Sequence, residues 1–286
     1  MAKFELSAFT DEYSNDFSAQ IEGMLLNGVK YTEIRGVNGK NISEISLKEA
    51  GEIKKMLDDN GLAVWSVGSP LGKIKLNDDI DKHIELTKHV CEIANVLGTP
   101  RIRVFSFYVP DTSDIKPYSG QVFDYMGKML KASEPYGVIL CHENEKGIYG
   151  EKTEGVLDIM HQFGNGYRCI FDPANFLQAG VTTYPDAFEK LKDYIYYMHI
   201  KDCRADKSIA PAGKGEGKIP EILRELDKRS DTVVLTVEPH LRVFSGLAAL
   251  EESGSTSEII DQYPTSQAAF NAAVSALKSI LSDMGK

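Results

Sequence analysis

Glu143, Asp172, His199 and Glu238 are the residues whose types and spacing could do chemistry. They lie 29, 27 and 39 residues apart. Each closes, or nearly closes, a short run of strand-forming residues: VILCHE, RCIFD, YIYYMHI and TVVLTVE. Side chains alternate along a strand, so Glu143 shares a face with Cys141 and Ile139. By the same rule His199 goes with Tyr197 and Ile195, and Glu238 with Thr236 and Val234. Three carboxylates and one imidazole brought together repel one another unless a cation sits among them. Oxygen-rich ligands with one nitrogen suit Mn, Zn, Mg or Co, and the lack of a thiolate argues against a structural zinc site. The expected cofactor is therefore one divalent metal ion held by Glu143, Asp172, His199 and Glu238.

That reading needs elements that bring four strand ends to one place. The runs FELSAF, YTEIRG, LAVWSVG and RIRVFSF precede the four above, and helical patterns separate them. Ser46 and Glu49 have capping-box spacing at the start of one helix, and Gly98 with Pro100 beyond it stops another. Further helices are expected at 153–163, 184–193, 217–229 and 265–284. Strands alternating with helices imply parallel pairing. Eight such units over 286 residues predict an α/β fold, a (β/α)8 TIM barrel with an eight-stranded parallel sheet, as a single domain over 1–286. Active sites of such barrels lie where the C-terminal strand ends converge.

Composition narrows the partners. The formal net charge of −10 disfavours a phosphate backbone, so nucleic acid is not expected. MAKFELSAFT lacks a long apolar signal region, and no run approaches the roughly 18 apolar residues of a membrane span. Cys91, Cys141, Cys169 and Cys203 form no C-x-x-C pair and read as reduced thiols. The expectation is a cytoplasmic protein that takes a small molecule and has no membrane partner.

The chain resembles the xylose-isomerase-like TIM-barrel sugar isomerases and epimerases, a group that includes ketose 3-epimerases, inosose dehydratases and hydroxypyruvate isomerases. ENE at 143–145, DPAN at 172–175, HIKD at 199–202, PAGKGEGKIP at 211–220 and EPH at 238–240 carry the likeness. The resemblance implies that the four residues above are the metal ligands and that Glu143 and Glu238 are also the catalytic acid–base pair. It implies proton transfer through a metal-bound enediolate of a sugar or sugar phosphate, giving epimerisation or isomerisation. Lys201 and Arg204 fall at substrate-contact positions, and Asn175 stands where several relatives carry histidine. Alternatives are a cyclic-polyol (inosose-type) dehydratase on the same metal, or a non-catalytic sugar-binding barrel. An endonuclease IV-like enzyme is disfavoured, because Ile209 and Pro211 occupy the places of an expected D-x-H ligand pair.

Other features complete the expectation. Trp65 is read at the third strand's end, where it would stack on a sugar face or pack the rim. His142 and His240 adjoin ligands, and alternation turns them away, either to support the ligands or to contact substrate. One of Glu33 and Arg35 is expected to face the mouth. GKGEGK at 213–218 lacks P-loop spacing, yet its backbone N–H groups and Lys214 are candidates to hold a phosphate. Segment 241–264, with Leu241, Val243, Phe244, Leu247 and Leu250, is expected to cover the mouth or pack on a partner subunit in a homo-oligomer.

Overall fold

The computed structural model describes residues 1–243, 259 and 263–286. The strands are β1 (Lys3–Ala8), β2 (Tyr31–Ile34), β3 (Ala63–Gly68), β4 (Arg101–Val104), β5 (Ile139–Glu143), β6 (Tyr167–Phe171), β7 (Ile195–Ile200) and β8 (Thr232–Val237). They pair in parallel in chain order, and β8 returns to β1 to close the barrel. Two registers shift, at Thr32/Glu33 on β2 and at Cys169/Ile170 on β6. Irregularities of this kind re-aim the side chains that follow, here Glu33 and Asp172.

Two apolar layers hold this arrangement. The larger packs helices around the barrel, with Val90, Ile93, Ala94 and Leu97 of the helix Ile80–Leu97 buried. The smaller fills the lumen with Cys141, Ile170, Tyr197 and Val234, bordered by Trp65, Ile139 and Tyr196. Trp65 is thus not at a strand end. β3 continues to Gly68, and the indole packs against Tyr197 under the Arg101 guanidinium, 3.6 Å from its ring centroid. It belongs to the floor of the lumen and not to a sugar-binding rim.

The helix punctuation follows local chemistry. Ser46 and Glu49 form the reciprocal capping box at the start of Leu47–Asp59. Gly98 ends its helix in the left-handed region at φ +76°. The single helix expected at 184–193 is instead a short turn, Thr183–Ala187, followed by Phe188–Leu191. Pro185 has no N–H to donate there and restricts the residue before it. The helix expected at 217–229 is shorter, Ile219–Leu226, and begins after Gly217 has been drawn into another contact. Of the apolar residues in 241–264, Leu241 is buried and Val243 is 70% exposed; Phe244, Leu247 and Leu250 lie outside the described residues, and with them the lid or interface expectation. Among the described residues no helix is long and apolar enough to cross a membrane.

Gly72, between β3 and the helix after it, has φ +87°, and a Cβ there would lie 2.1 Å from the Phe105 carbonyl oxygen. Gly72→Ala is expected to destabilise the protein by about 2–4 kcal/mol. Gly51→Ala, on an open helical surface, is expected to stabilise by up to about 1 kcal/mol. Chemical denaturation of both variants checks the contrast.

Candidate metal centre

Parallel closure carries the ends of β5 to β8 to one side of the barrel, where Glu143, Asp172, His199 and Glu238 meet. One ligand atom from each lies within 4.8 Å of the others, and all four residues are buried. Asn144 ties two of these ends together: its Oδ1 accepts from the Asp172 N–H at 2.9 Å and its Nδ2 donates to the Asp172 carbonyl at 3.0 Å. Asp172 also caps the helix Pro173–Gln178, accepting from the Asn175 N–H at 2.9 Å. Asn175 Nδ2 in turn donates to Glu143 Oε1 at 3.2 Å and to the Asn144 carbonyl at 2.9 Å. His199 Nδ1 lies 3.0 Å from Glu143 Oε1, and its Nε2 lies 3.1 Å from Glu33 Oε2. The Tyr197 hydroxyl donates to Glu33 Oε1 at 2.9 Å.

The charge balance is negative. Asp11, Glu12, Glu33, Glu143, Asp172 and Glu238 are buried around the fixed cations Arg35, Arg103 and Lys201. Burial raises the Asp172 carboxyl to about 7, with Lys201 opposing the rise and Glu238 adding to it. Burial opposes the charge on His199, but Glu143 and Glu33 overcome it and raise the imidazole to about 10. Burial also works against ionised Glu238, yet Lys201, His240, His199 and Arg35 hold that carboxyl well below its usual range. So the site recruits protons to offset its own charge, which a divalent cation would do in their place.

Two further observations fit such an ion. Glu143 Oε2 and Asp172 Oδ2 are buried and accept no hydrogen bond from the described residues. Each has an ion-pair neighbour, Arg103 Nη1 at 3.3 Å and Lys201 Nζ at 3.0 Å. Metal–oxygen and metal–nitrogen bonds of roughly 2.0–2.2 Å place ligand atoms about 3–4.4 Å apart, so the cluster closes on one ion with small adjustments.

The other sequence candidates divide. Asn175 and Lys201 stand inside the site; Lys201 Nζ donates to Glu238 Oε2 at 2.9 Å. Arg204 lies just beyond β7 on the short hairpin of Asp202–Cys203 and Ile209–Ala210, donating to the Ile209 carbonyl at 3.0 Å. His142 turns away from Glu143, as alternation requires, and its ring packs against Ser106 and the backbone at Gly150. Its Nε2 pairs with Ser106 Oγ at 3.0 Å, and burial lowers the imidazole to about 3. That packing separates it from the four-residue cluster's face of the strand. His240 departs from the alternation reading: it has φ +43°, and its ring turns back to lie 3.6 Å from Glu238 Oε1.

Both Glu33 and Arg35 face the mouth, because residues two apart share a strand face. Arg35 donates to Glu238 Oε1, and Glu33 holds His199. Arg103 and Glu12 were given no role from the sequence, and Asn144 entered only as part of the ENE motif. For Arg103 the signal was available, since it stands near the end of β4, a strand whose end meets the same mouth.

The glycine turn is occupied from within. Asp202 accepts from the N–H groups of Gly213, Gly215 and Gly217 at 2.9, 3.0 and 2.8 Å, and from Cys203 at 2.9 Å. A Cβ on Gly215 or Gly217 would sit 2.4 or 2.6 Å from Asp202 Oδ1. These N–H groups therefore hold a carboxylate of the chain itself and not the phosphate considered from sequence.

A family model described as xylose isomerase-like TIM barrel matches residues 27–259. A search of curated proteins found no match. Among solved structures, the IOLI protein with a bound zinc atom superposes with a TM-score of 0.74 at 16% identity, covering 98% of each chain. The probable 3-DHS dehydratase AsbF from Bacillus anthracis gives 0.71 at 16%, covering 97% of this chain and 99% of that one. The 3-keto-D-glucoside 4-epimerase YcjR from E. coli gives 0.67 at 12%, covering 99% and 100%. At these identities the likeness is one of fold.

A metal held by His199 would compete with protons for the imidazole. Metal uptake is expected to release a proton, and apparent affinity to weaken up to about tenfold per pH unit below about 10. Calorimetry of Mn²⁺ binding in buffers of different ionisation enthalpy counts the proton. His199→Ala is expected to lose at least tenfold in affinity.

Proposed function

Because this chain belongs to the xylose isomerase-like TIM barrel family, we propose that it is a divalent-metal-dependent isomerase or epimerase of a sugar or related polyol. The observation that carries this reading is the convergence of Glu143, Asp172, His199 and Glu238 from four adjacent strand ends within 4.8 Å. Those residues would hold one cation, whose chemistry when bound is Lewis-acid polarisation of a carbonyl and its neighbouring hydroxyl.

The remaining work falls to the side chains. Glu143 and Glu238 stand on β5 and on the turn after β8, with β6 and β7 between them. One removes a proton from the carbon beside the carbonyl, and the other returns a proton to the opposite face or to the adjacent carbon. The first outcome is epimerisation and the second isomerisation. Asn175, His199 and Arg103 orient Glu143. Arg35 and Lys201 grip the two oxygens of Glu238 separately, so that carboxylate cannot rotate. Reacting groups held in such fixed geometry avoid much of the entropy loss of reaching the transition state.

Dehydration of a cyclic polyol is a second reading, favoured by Lys201. Its ammonium lies among the same carboxylates, 3.0 Å from Asp172 Oδ2, where it could protonate a departing hydroxyl. Burial works against that charge, but Asp172 and Glu238 raise the ammonium well above its usual range and keep it protonated.

The test is incubation with Mn²⁺ and a panel of ketoses and inososes in deuterated water. Deuterium at the carbon beside the carbonyl of an epimer or isomer is the expected result; an unsaturated product favours the dehydratase. Glu143→Gln and Glu238→Gln are each expected to lower turnover by about 10²–10⁴-fold. Wild-type turnover in either variant would remove that residue from the mechanism.

A further inference from the structure

Beside the four-ligand cluster lies a second group with metal-ligand chemistry. Glu12, Glu238 and His240 each offer one ligand atom within 4.8 Å of the others, and all three are buried. His240 Nε2 is 3.5 Å from Glu12 Oε1 and 3.6 Å from Glu238 Oε1. The His240 backbone N–H donates to Glu12 Oε2 at 2.6 Å, which fixes the carboxylate towards the ring. Glu238 belongs to both groups, presenting Oε2 to Lys201 and Oε1 to this second trio. Taken as donors alone, these residues are suited to a second ion sharing Glu238 with the first.

A cation of the chain already stands there. Arg35 Nη2 lies 3.1 Å from Glu12 Oε1, and Nη1 lies 3.1 Å from Glu238 Oε1. Nε and Nη2 also hold both oxygens of Asp11, at 2.8 and 3.1 Å. The Arg35 side chain is 2% exposed, and the Phe9 ring backs its guanidinium at 4.3 Å. A guanidinium is planar, permanently charged and matched to paired carboxylates. It satisfies the two oxygens that a second ion would need, and it adds a charge that repels such an ion.

We infer that Arg35 limits the mouth to one divalent cation, its guanidinium taking the place of a second ion on Glu12, Glu238 and His240. The inference rests on the metal reading of the four-ligand cluster and adds to it the nuclearity of the centre. Lysine at this position would keep a charge but lose the fork that engages Glu12, Glu238 and Asp11 together.

The experiment is Mn²⁺ titration of the purified full chain, with bound metal counted by elemental analysis and electron paramagnetic resonance recorded at saturation. Wild type is expected to hold one ion with an uncoupled spectrum. Arg35→Met is expected to take up a second ion, with a spin-coupled signal, and to lose it when Glu12→Gln or His240→Ala is added. Arg35→Lys is expected to remain near one. Arg35→Gln replaces Arg35→Met if the latter does not fold. Two ions in wild type, one of them lost in His240→Ala, would overturn the inference while leaving the metal centre intact. A folded Arg35→Met that stays at one ion overturns it equally. No ion in any of these proteins would instead remove the metal reading itself, and the inference with it.

Discussion

The constraint on which this structure turns is the burial of like charge. Six carboxylates converge on the mouth of a barrel whose lumen below is apolar. Isolated there, each would be too costly to keep ionised. The surrounding structure can be understood as a set of answers to that problem, each from a different element. Arg103 from β4 faces Glu143, Arg35 after β2 faces Asp11, Glu12 and Glu238, and Lys201 after β7 bridges Asp172 and Glu238. His199 carries charge between Glu143 and Glu33. What these leave unbalanced appears as the raised carboxyls of Asp172 and Glu12, pushed by burial to about 7 and about 8 against the pull of Lys201 and Arg35.

The same constraint differentiates the two glutamates assigned to proton transfer. Glu238 is gripped at both oxygens by fixed cations. Glu143 is gripped chiefly at Oε1, and its Oε2 accepts no hydrogen bond from the described residues. They are equivalent in residue type but not in freedom. Asn144 supplies the precision that charge cannot. By bonding both backbone groups of Asp172, it sets the relative height of the β5 and β6 ends, and with it the relative placement of Glu143 and Asp172.

Much of this was legible in the sequence because both periodicities are local. Strand runs, helix caps and the unit spacing of four ligand-type residues predicted the barrel, which the closed sheet bears out, and nominated the ligand set that the geometry then brings together. Trp65 was misplaced because strand ends are blurred in sequence: three more residues of β3 follow it. His240 was misplaced because alternation holds only while the strand lasts, and its positive φ ends it. Asp202 was invisible for another reason. A glycine turn looks the same in sequence whether its N–H groups await a ligand or already hold a carboxylate from eleven to fifteen residues earlier. Arg35 shows the same limit at long range, since nothing local announces a partner 203 residues away.

That last separation bears on how the molecule is assembled. Arg35 with Glu238 and Glu12 with His240 join segments 203 and 228 residues apart, so these contacts await the docking of β8 against β1. Until then the charges near the N-terminus remain hydrated, and nothing draws them from water. Contacts of such long range are slow to form, because the chain between them must first be organised. The centre is therefore complete only once the barrel has closed between β8 and β1. A chain still emerging from the ribosome, short of its last strand, would carry Glu143, Asp172 and His199 without Glu238 and His240, and so without the contacts that make the site rigid.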